Sequence, residues 1–143
     1  MSHGHLIRLE TFSSFEVLDL VQLLSDRLSI LAGLDEDATH WVSVAVRESV
    51  INAIKHGNRQ DATKRVTVEF SLSPHDAPDA FVIAVLDEGE GFDAGHVANP
   101  LDPENVLKSS GRGIFFMRSF MDDVQMSRRP EGGMVVRMTK KLS

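Results

Sequence analysis

Seven consecutive apolar residues, Ala80-Phe-Val-Ile-Ala-Val-Leu86, run into a carboxylate, Asp87, and then into Glu88-Gly89-Glu90-Gly91. A run this short, rich in β-branched residues and followed by glycines, predicts a strand rather than a helix. No polar residue alternates along it, so the strand belongs inside a sheet, buried on both faces, with Asp87 delivered to its end. The rest of the fold has to be built around that strand.

His5 to Thr11 predicts a first strand. Ser13-Ser-Phe-Glu16 has the form of a capping box, and Val17, Leu20, Val21, Leu24, Leu28 and Leu31 recur at helical spacing. A helix is therefore expected over 14–32, with Gly33 as its left-handed stop. Asp35, Glu36 and Asp37 suit the positive end of a second helix, which runs through Trp41, Val42, Val46 and Ile51 to a stop at His56-Gly57. Val66, Val68 and Phe70 alternate with Thr67, Glu69 and Ser71, the period of a strand. After the apolar run, Gly95, Pro100 and Pro103 break any pattern between Phe92 and Ser110, and a loop of that length in a small domain is usually functional. A helix over 113–121, a strand over 124–127, a turn over 128–133 and a last strand over 134–140 complete the reading. This order predicts an α+β domain whose mixed, largely antiparallel sheet is covered on one face by helices.

A chain of 143 residues suits one domain spanning 1–143. Its net charge of -6 disfavours a general phosphate-backbone binder, so nucleic acid is not an expected partner. The absence of cysteine excludes disulfides and thiolate metal sites. No stretch approaches the roughly 20 apolar residues needed to span a bilayer, and the first residues lack the apolar centre of a signal peptide. The expected location is the cytoplasm.

Three islands carry the chemistry. On the second helix Glu48, Asn52 and Lys55 fall within about 60° of arc and interrupt an apolar face. A carboxylate and an amide there suit either a polar ligand or an internally hydrogen-bonded cluster. An asparagine carbonyl oxygen is a suitable hard ligand for magnesium, and Glu48, one turn earlier, is placed to act as a base on a hydroxyl. In the second island, Asp87 can accept a hydrogen bond from an exocyclic amino group such as that of adenine, while Gly89 and Gly91 permit a tight turn beneath a flat base. Residues 89–94 also fit a relaxed dinucleotide fingerprint, but the glycine and proline that follow argue against the helix this motif must open. In the third, Gly111-Arg112-Gly113 precedes an apolar helix start, where backbone amides point at phosphate and Lys108 and Arg112 add cations. No Walker-type phosphate loop occurs in the sequence, so a nucleotide site here needs another design.

In order and spacing, Glu48-Ser-Val-Ile-Asn52-Ala-Ile-Lys55-His56-Gly57, Asp87-Glu-Gly89-Glu-Gly91 and Gly111-Arg112-Gly113-Ile-Phe-Phe-Met117 resemble the three nucleotide-binding boxes of the Bergerat-fold, histidine-kinase-like ATPases. Within them, the short chain and its ending from Phe120-Met-Asp-Asp-Val124 look like the anti-sigma-factor serine/threonine kinases. The resemblance implies a Bergerat-fold sandwich with an ATP lid over about 92–112, and ATP and Mg2+ as cofactors. It assigns the catalytic base to Glu48, the magnesium ligand to Asn52 and the adenine reader to Asp87. It gives nucleotide contacts to Asn52, Lys55, His56, Gly89, Gly91, Lys108, Gly111, Arg112 and Gly113. The partners implied are a sigma factor, an anti-sigma-factor antagonist that is phosphorylated on serine or threonine, and a second copy in a homodimer. A binding module that sequesters a regulator without transferring phosphate is the alternative. One departure stands out: the family often has Gly-Thr-Thr entering the last strand, where this chain has Gly133-Met134-Val135.

Overall fold

A computed structural model describes residues 6–73, 79–89 and 117–142. The expected lid and the residues around Gly91, Lys108, Gly111, Arg112 and Gly113 lie outside them. The chain forms β1 (Leu6–Phe12), a 3₁₀ turn (Phe15–Val17), α1 (Leu18–Leu31), α2 (Glu36–Asn52), a π turn (Ala53–Gly57), β2 (Arg65–Ser73), β3 (Ala80–Asp87), β4 (Asp123–Arg128) and β5 (Met134–Lys141). The strands make one sheet in the order β1-β2-β3-β5-β4. Each pairing is antiparallel, so the mixed sheet expected from the sequence has no parallel pair among the described strands.

The apolar run is the middle strand, and one of its faces is buried more completely than the other. Phe81, Ile83 and Val85 sit in the core with Val66, Val68 and Phe70 of β2, under Val21 and Leu28 of α1 and Val42, Val46 and Val50 of α2. On the other face Val82 and Leu86 are half-buried. Both helices cover the same face.

The local signals work where their chemistry is local. Asp35 caps α2, its Oδ1 accepting from Ala38 N at 2.8 Å, and Gly33 (φ 91°) turns the chain out of α1 in the left-handed region. The expected capping box at Ser13 is replaced: Ser14 Oγ accepts from Glu16 N at 3.2 Å, while Ser13 Oγ donates to Lys64 O at 3.0 Å and ties the helix entry to β2. A one-residue shift of the cap frees Ser13 for this long-range bond. Residues 117–120 form a helical turn, and Phe120 stacks on Trp41 of α2 with centroids 4.1 Å apart. None of the described helices is long and apolar enough to cross a membrane.

Candidate functional site

At the end of β3 the Asp87 carboxylate is enclosed by three backbone segments. Its side chain is buried, with 5% of the residue exposed. Oδ1 accepts from Gly89 N at 3.0 Å and from Met134 N at 3.2 Å, so one oxygen is held by two amides. Oδ2 has no hydrogen bond among the described residues and faces Gly57, where even a Cβ would collide with it. One carboxylate oxygen is thus fixed by two amides, and the other is seated against Gly57, where only a glycine leaves room for it. Burial pushes the Asp87 carboxyl above the usual aspartate range; the Gly89 and Met134 amides, Arg129 and Lys64 act in the other direction.

The glycines are required by contact. A Cβ on Gly89 would strike the Gly57 carbonyl, and one on Gly133 (φ 100°) would strike the Asp87 carbonyl. The end of the helix carrying Glu48 and Asn52 is therefore packed directly against the turn that carries Asp87. The first two islands meet here. Ala53–Gly57 is wound as a π turn, with Asn58 N donating to Ala53 O at 2.7 Å. Single π turns inside α-helices recur at functional sites. On the preceding turns Glu48 and Asn52 are half-buried, Lys55 and His56 are exposed, and none of the four side chains bonds another described residue.

The residue that joins these parts is Asn58, which sequence reasoning passed over. It is 1% exposed. Its Nδ2 donates to Ser13 Oγ (2.7 Å) and Arg65 O (2.9 Å), and its Oδ1 accepts from Glu88 N (2.9 Å). Glu88 in turn accepts from Arg65 N at 2.6 Å. Arg59 and Gln60, both at positive φ (51° and 59°), then turn the chain toward β2. An asparagine directly after the helix-stopping glycine was the available signal, but its partners are remote in sequence. Asn58→Ala leaves three part-buried polar groups without their partner at once, and we expect it to cost roughly 2 kcal/mol of stability, read as a lower urea midpoint with an unchanged slope.

A buried carboxylate backed by close-packed glycines at a strand end thus lies beside the helix that carries Glu48 and Asn52. A family model for the histidine kinase-like ATPase domain matches residues 17–140. The chain belongs to this family. Among curated relatives, this ATPase domain is 36% identical over 121 residues to the anti-sigma F factor of Bacillus subtilis, covering 80% of this chain and 79% of that protein. It is 26% identical over 134 residues to the serine-protein kinase RsbW of Bacillus subtilis, covering 90% and 80%.

Among solved structures, the ATPase domain matches the nucleotide-free catalytic domain of histidine kinase ThkA with a TM-score of 0.59 at 14% identity, covering 94% of this chain and 97% of that one. It also matches the histidine kinase domain of the Erythrobacter litoralis EL346 blue-light activated kinase, with a TM-score of 0.59 at 13% identity. That second match covers 88% of this chain but spans only 61% of the kinase domain chain. At these identities the structural matches speak for the fold: an α+β Bergerat sandwich, as the motif order implied.

Proposed function

We propose that this ATPase domain is an ATP-dependent serine/threonine protein kinase and anti-sigma factor, which binds a sigma factor and phosphorylates a small antagonist protein in a partner switch. The observation that carries the nucleotide part is the buried Asp87 carboxylate, with Oδ1 taken by two amides and Oδ2, seated against Gly57, left without a hydrogen bond among the described residues. An acceptor in a buried cleft selects a base that presents an amino group, as adenine does at its 6-position, over one that presents a carbonyl there. The partner-switch part is supported by the relatives named as an anti-sigma factor and as a serine-protein kinase. The kinase is placed in the cytoplasm, as a single domain over residues 1–143.

In this reading Glu48 accepts the proton of the attacking hydroxyl. Asn52, one turn later, offers a hard amide oxygen to magnesium. No group of three or more His, Asp or Glu side chains suited to a metal occurs among the described residues. With Asn52 as its one protein ligand, the ion would take phosphate oxygens and water for the rest, the usual pattern for magnesium. When bound, the metal neutralises charge on the phosphates. Lys55 and His56, exposed on the π turn, would supply side-chain contacts to the nucleotide. Gly91, Lys108, Gly111, Arg112 and Gly113 are assigned to the base-proximal turn and phosphate loop by the motif resemblance. The hydroxyl that Gly133-Met134-Val135 lacks is not needed to hold Asp87, because Met134 supplies its main-chain amide. Calorimetry with ATP and magnesium tests the reading: saturable binding is expected, and no binding at millimolar nucleotide would leave only sequestration of a regulator.

The homodimer belongs to the same proposal, and β1 gives it a register. β1 is an edge strand, with Leu6 65% and Phe12 55% exposed. An antiparallel pairing of two copies centred on Leu9 sets Leu6 opposite Phe12, Ile7 opposite Thr11 and Arg8 opposite Glu10, which is self-complementary in charge. Light scattering should give twice the chain mass for wild type and a shift toward monomer for Arg8→Glu. The charge-exchanged Arg8→Glu/Glu10→Arg variant should restore the dimer. A wild-type monomer, or an Arg8→Glu dimer as tight as wild type, would contradict this register.

A further inference from the structure

The ladder between β3 and β5 stops one residue short of Asp87, at Leu86 opposite Val135. Beyond that point, Met134 N donates to the Asp87 side chain rather than continuing the ladder, and the Asp87 carbonyl is taken by Arg129 Nη1 at 2.7 Å. Arg129 lies in the hairpin turn between β4 and β5. Its own backbone closes that turn, with Arg129 N donating to Gly133 O (2.9 Å) and Gly132 N donating to Arg129 O (3.0 Å). Its guanidinium is braced from outside by Glu131 Oε1, 2.9 Å from Nη2. Both the carbonyl and the carboxylate of Asp87 are therefore held by one hairpin.

Arg129 is an expensive way to hold a carbonyl if stability alone is served. Its side chain is 16% exposed, and Nε is buried with no hydrogen-bond partner among the described residues. A buried donor without a partner costs free energy, and such groups in native proteins call for a reason beyond packing. The guanidinium also lies close enough to favour the ionised form of a carboxyl that burial disfavours. An acceptor kept both charged and fixed in place discriminates between ligand groups better than one free to shift.

We infer that Arg129 is a positioning residue for base selection: through the Asp87 carbonyl and its own charge it fixes the carboxylate that reads the 6-amino group of adenine. The inference rests on the proposal that Asp87 is the adenine reader. The two are separated by pairing variants with ligands. Full-length wild type, Arg129→Ala and Arg129→Lys are titrated by calorimetry with ATP and with purine riboside triphosphate, which lacks only the 6-amino group.

Wild type should bind ATP about 10-fold or more tighter than the purine analogue, the worth of one good hydrogen bond in a buried site. Arg129→Ala should lose most of that preference, weakening ATP about 10-fold while changing the analogue by less than about 3-fold. Arg129→Lys keeps one donor and the charge, and should restore at least half of the preference on a logarithmic scale. In transfer assays Arg129→Ala should raise the KM for ATP and leave kcat within about 2-fold. A purely structural role would weaken both nucleotides equally, and that result, or an Arg129→Ala protein with undiminished preference, overturns the inference. If wild type itself binds the two nucleotides alike, the adenine-reading role of Asp87 fails and the inference falls with it. If Arg129→Ala does not fold, Arg129→Lys and Arg129→Gln carry the same comparison, and an unchanged preference in Gln overturns it.

Discussion

Asp87→Asn is expected to reverse the base preference of the site. The Gly89 and Met134 amides both donate to Oδ1, so an asparagine is driven to place its carbonyl oxygen there. Its NH2 group then occupies the Oδ2 position beside Gly57. A donor now faces the 6-amino group of adenine, and the same donor suits the 6-oxo group of inosine or guanine. ATP affinity should fall about 100-fold or more, while inosine triphosphate gains on ATP, both read by calorimetry. Unchanged ATP affinity would remove Asp87 from base recognition.

The same substitution should stabilise the free protein, because burial raises the Asp87 pKa in the folded state above its value in the unfolded chain. The folded state then holds the proton more tightly. Stability associated with that proton is fully present below the unfolded-state pKa and is lost as pH rises through the raised, folded-state one. At neutral pH the ionised, buried carboxylate is thus a net penalty that asparagine removes. Asp87→Asn should melt higher than wild type at pH 7, and the gap should close as pH is lowered through that window. Functional sites commonly trade stability in this way.

Glu48→Ala is expected to separate binding from chemistry. Glu48 is half-buried on α2, one turn before Asn52, with no hydrogen bond among the described residues that would occupy its oxygens. As a general base it should contribute on the order of 10² to 10⁴ in rate. Phosphoryl transfer depends mainly on positioning and charge neutralisation, so loss of the base leaves the nucleotide site intact. ATP affinity should stay within about 3-fold of wild type while the single-turnover transfer rate falls by that factor. Parallel losses in affinity and rate would make Glu48 part of the binding surface instead.

How much of this could be read from the chain differs between its parts for physical reasons. Elements whose determinants are local were legible: the apolar run as the middle strand, Gly33 as a left-handed stop, Asp35 at the start of α2. So was the pairing of motifs, because a carboxylate at a strand end and polar residues on an apolar helix face carry a cost that demands a partner. Contacts remote in sequence were not legible. Nothing local distinguishes Asn58 from an ordinary turn residue, yet its side chain bridges the helix entry, β2 and Glu88. Arg129 reads as a surface turn cation until β4 and β5 bring it to the Asp87 carbonyl. Gly57 was legible as a helix stop, and its second role, leaving space for Asp87 Oδ2, needed the packing of two elements. The unequal burial of the two faces of β3 was likewise invisible, since an apolar run does not say which face will be covered more completely.

The proposed reaction of this ATPase domain transfers the γ-phosphoryl group of ATP to a protein hydroxyl, with Glu48 as base. It is tested most directly by intact-mass and peptide mass spectrometry of small regulatory proteins that bind the chain, after incubation with it, ATP and magnesium. Wild type should add one phosphate to a single serine or threonine of a bound regulator, and Glu48→Ala, still binding ATP, should add almost none over the same time. Equal phosphorylation by the two proteins would contradict the base assignment, and tight regulator and ATP binding with no phosphate transferred by wild type would contradict the kinase.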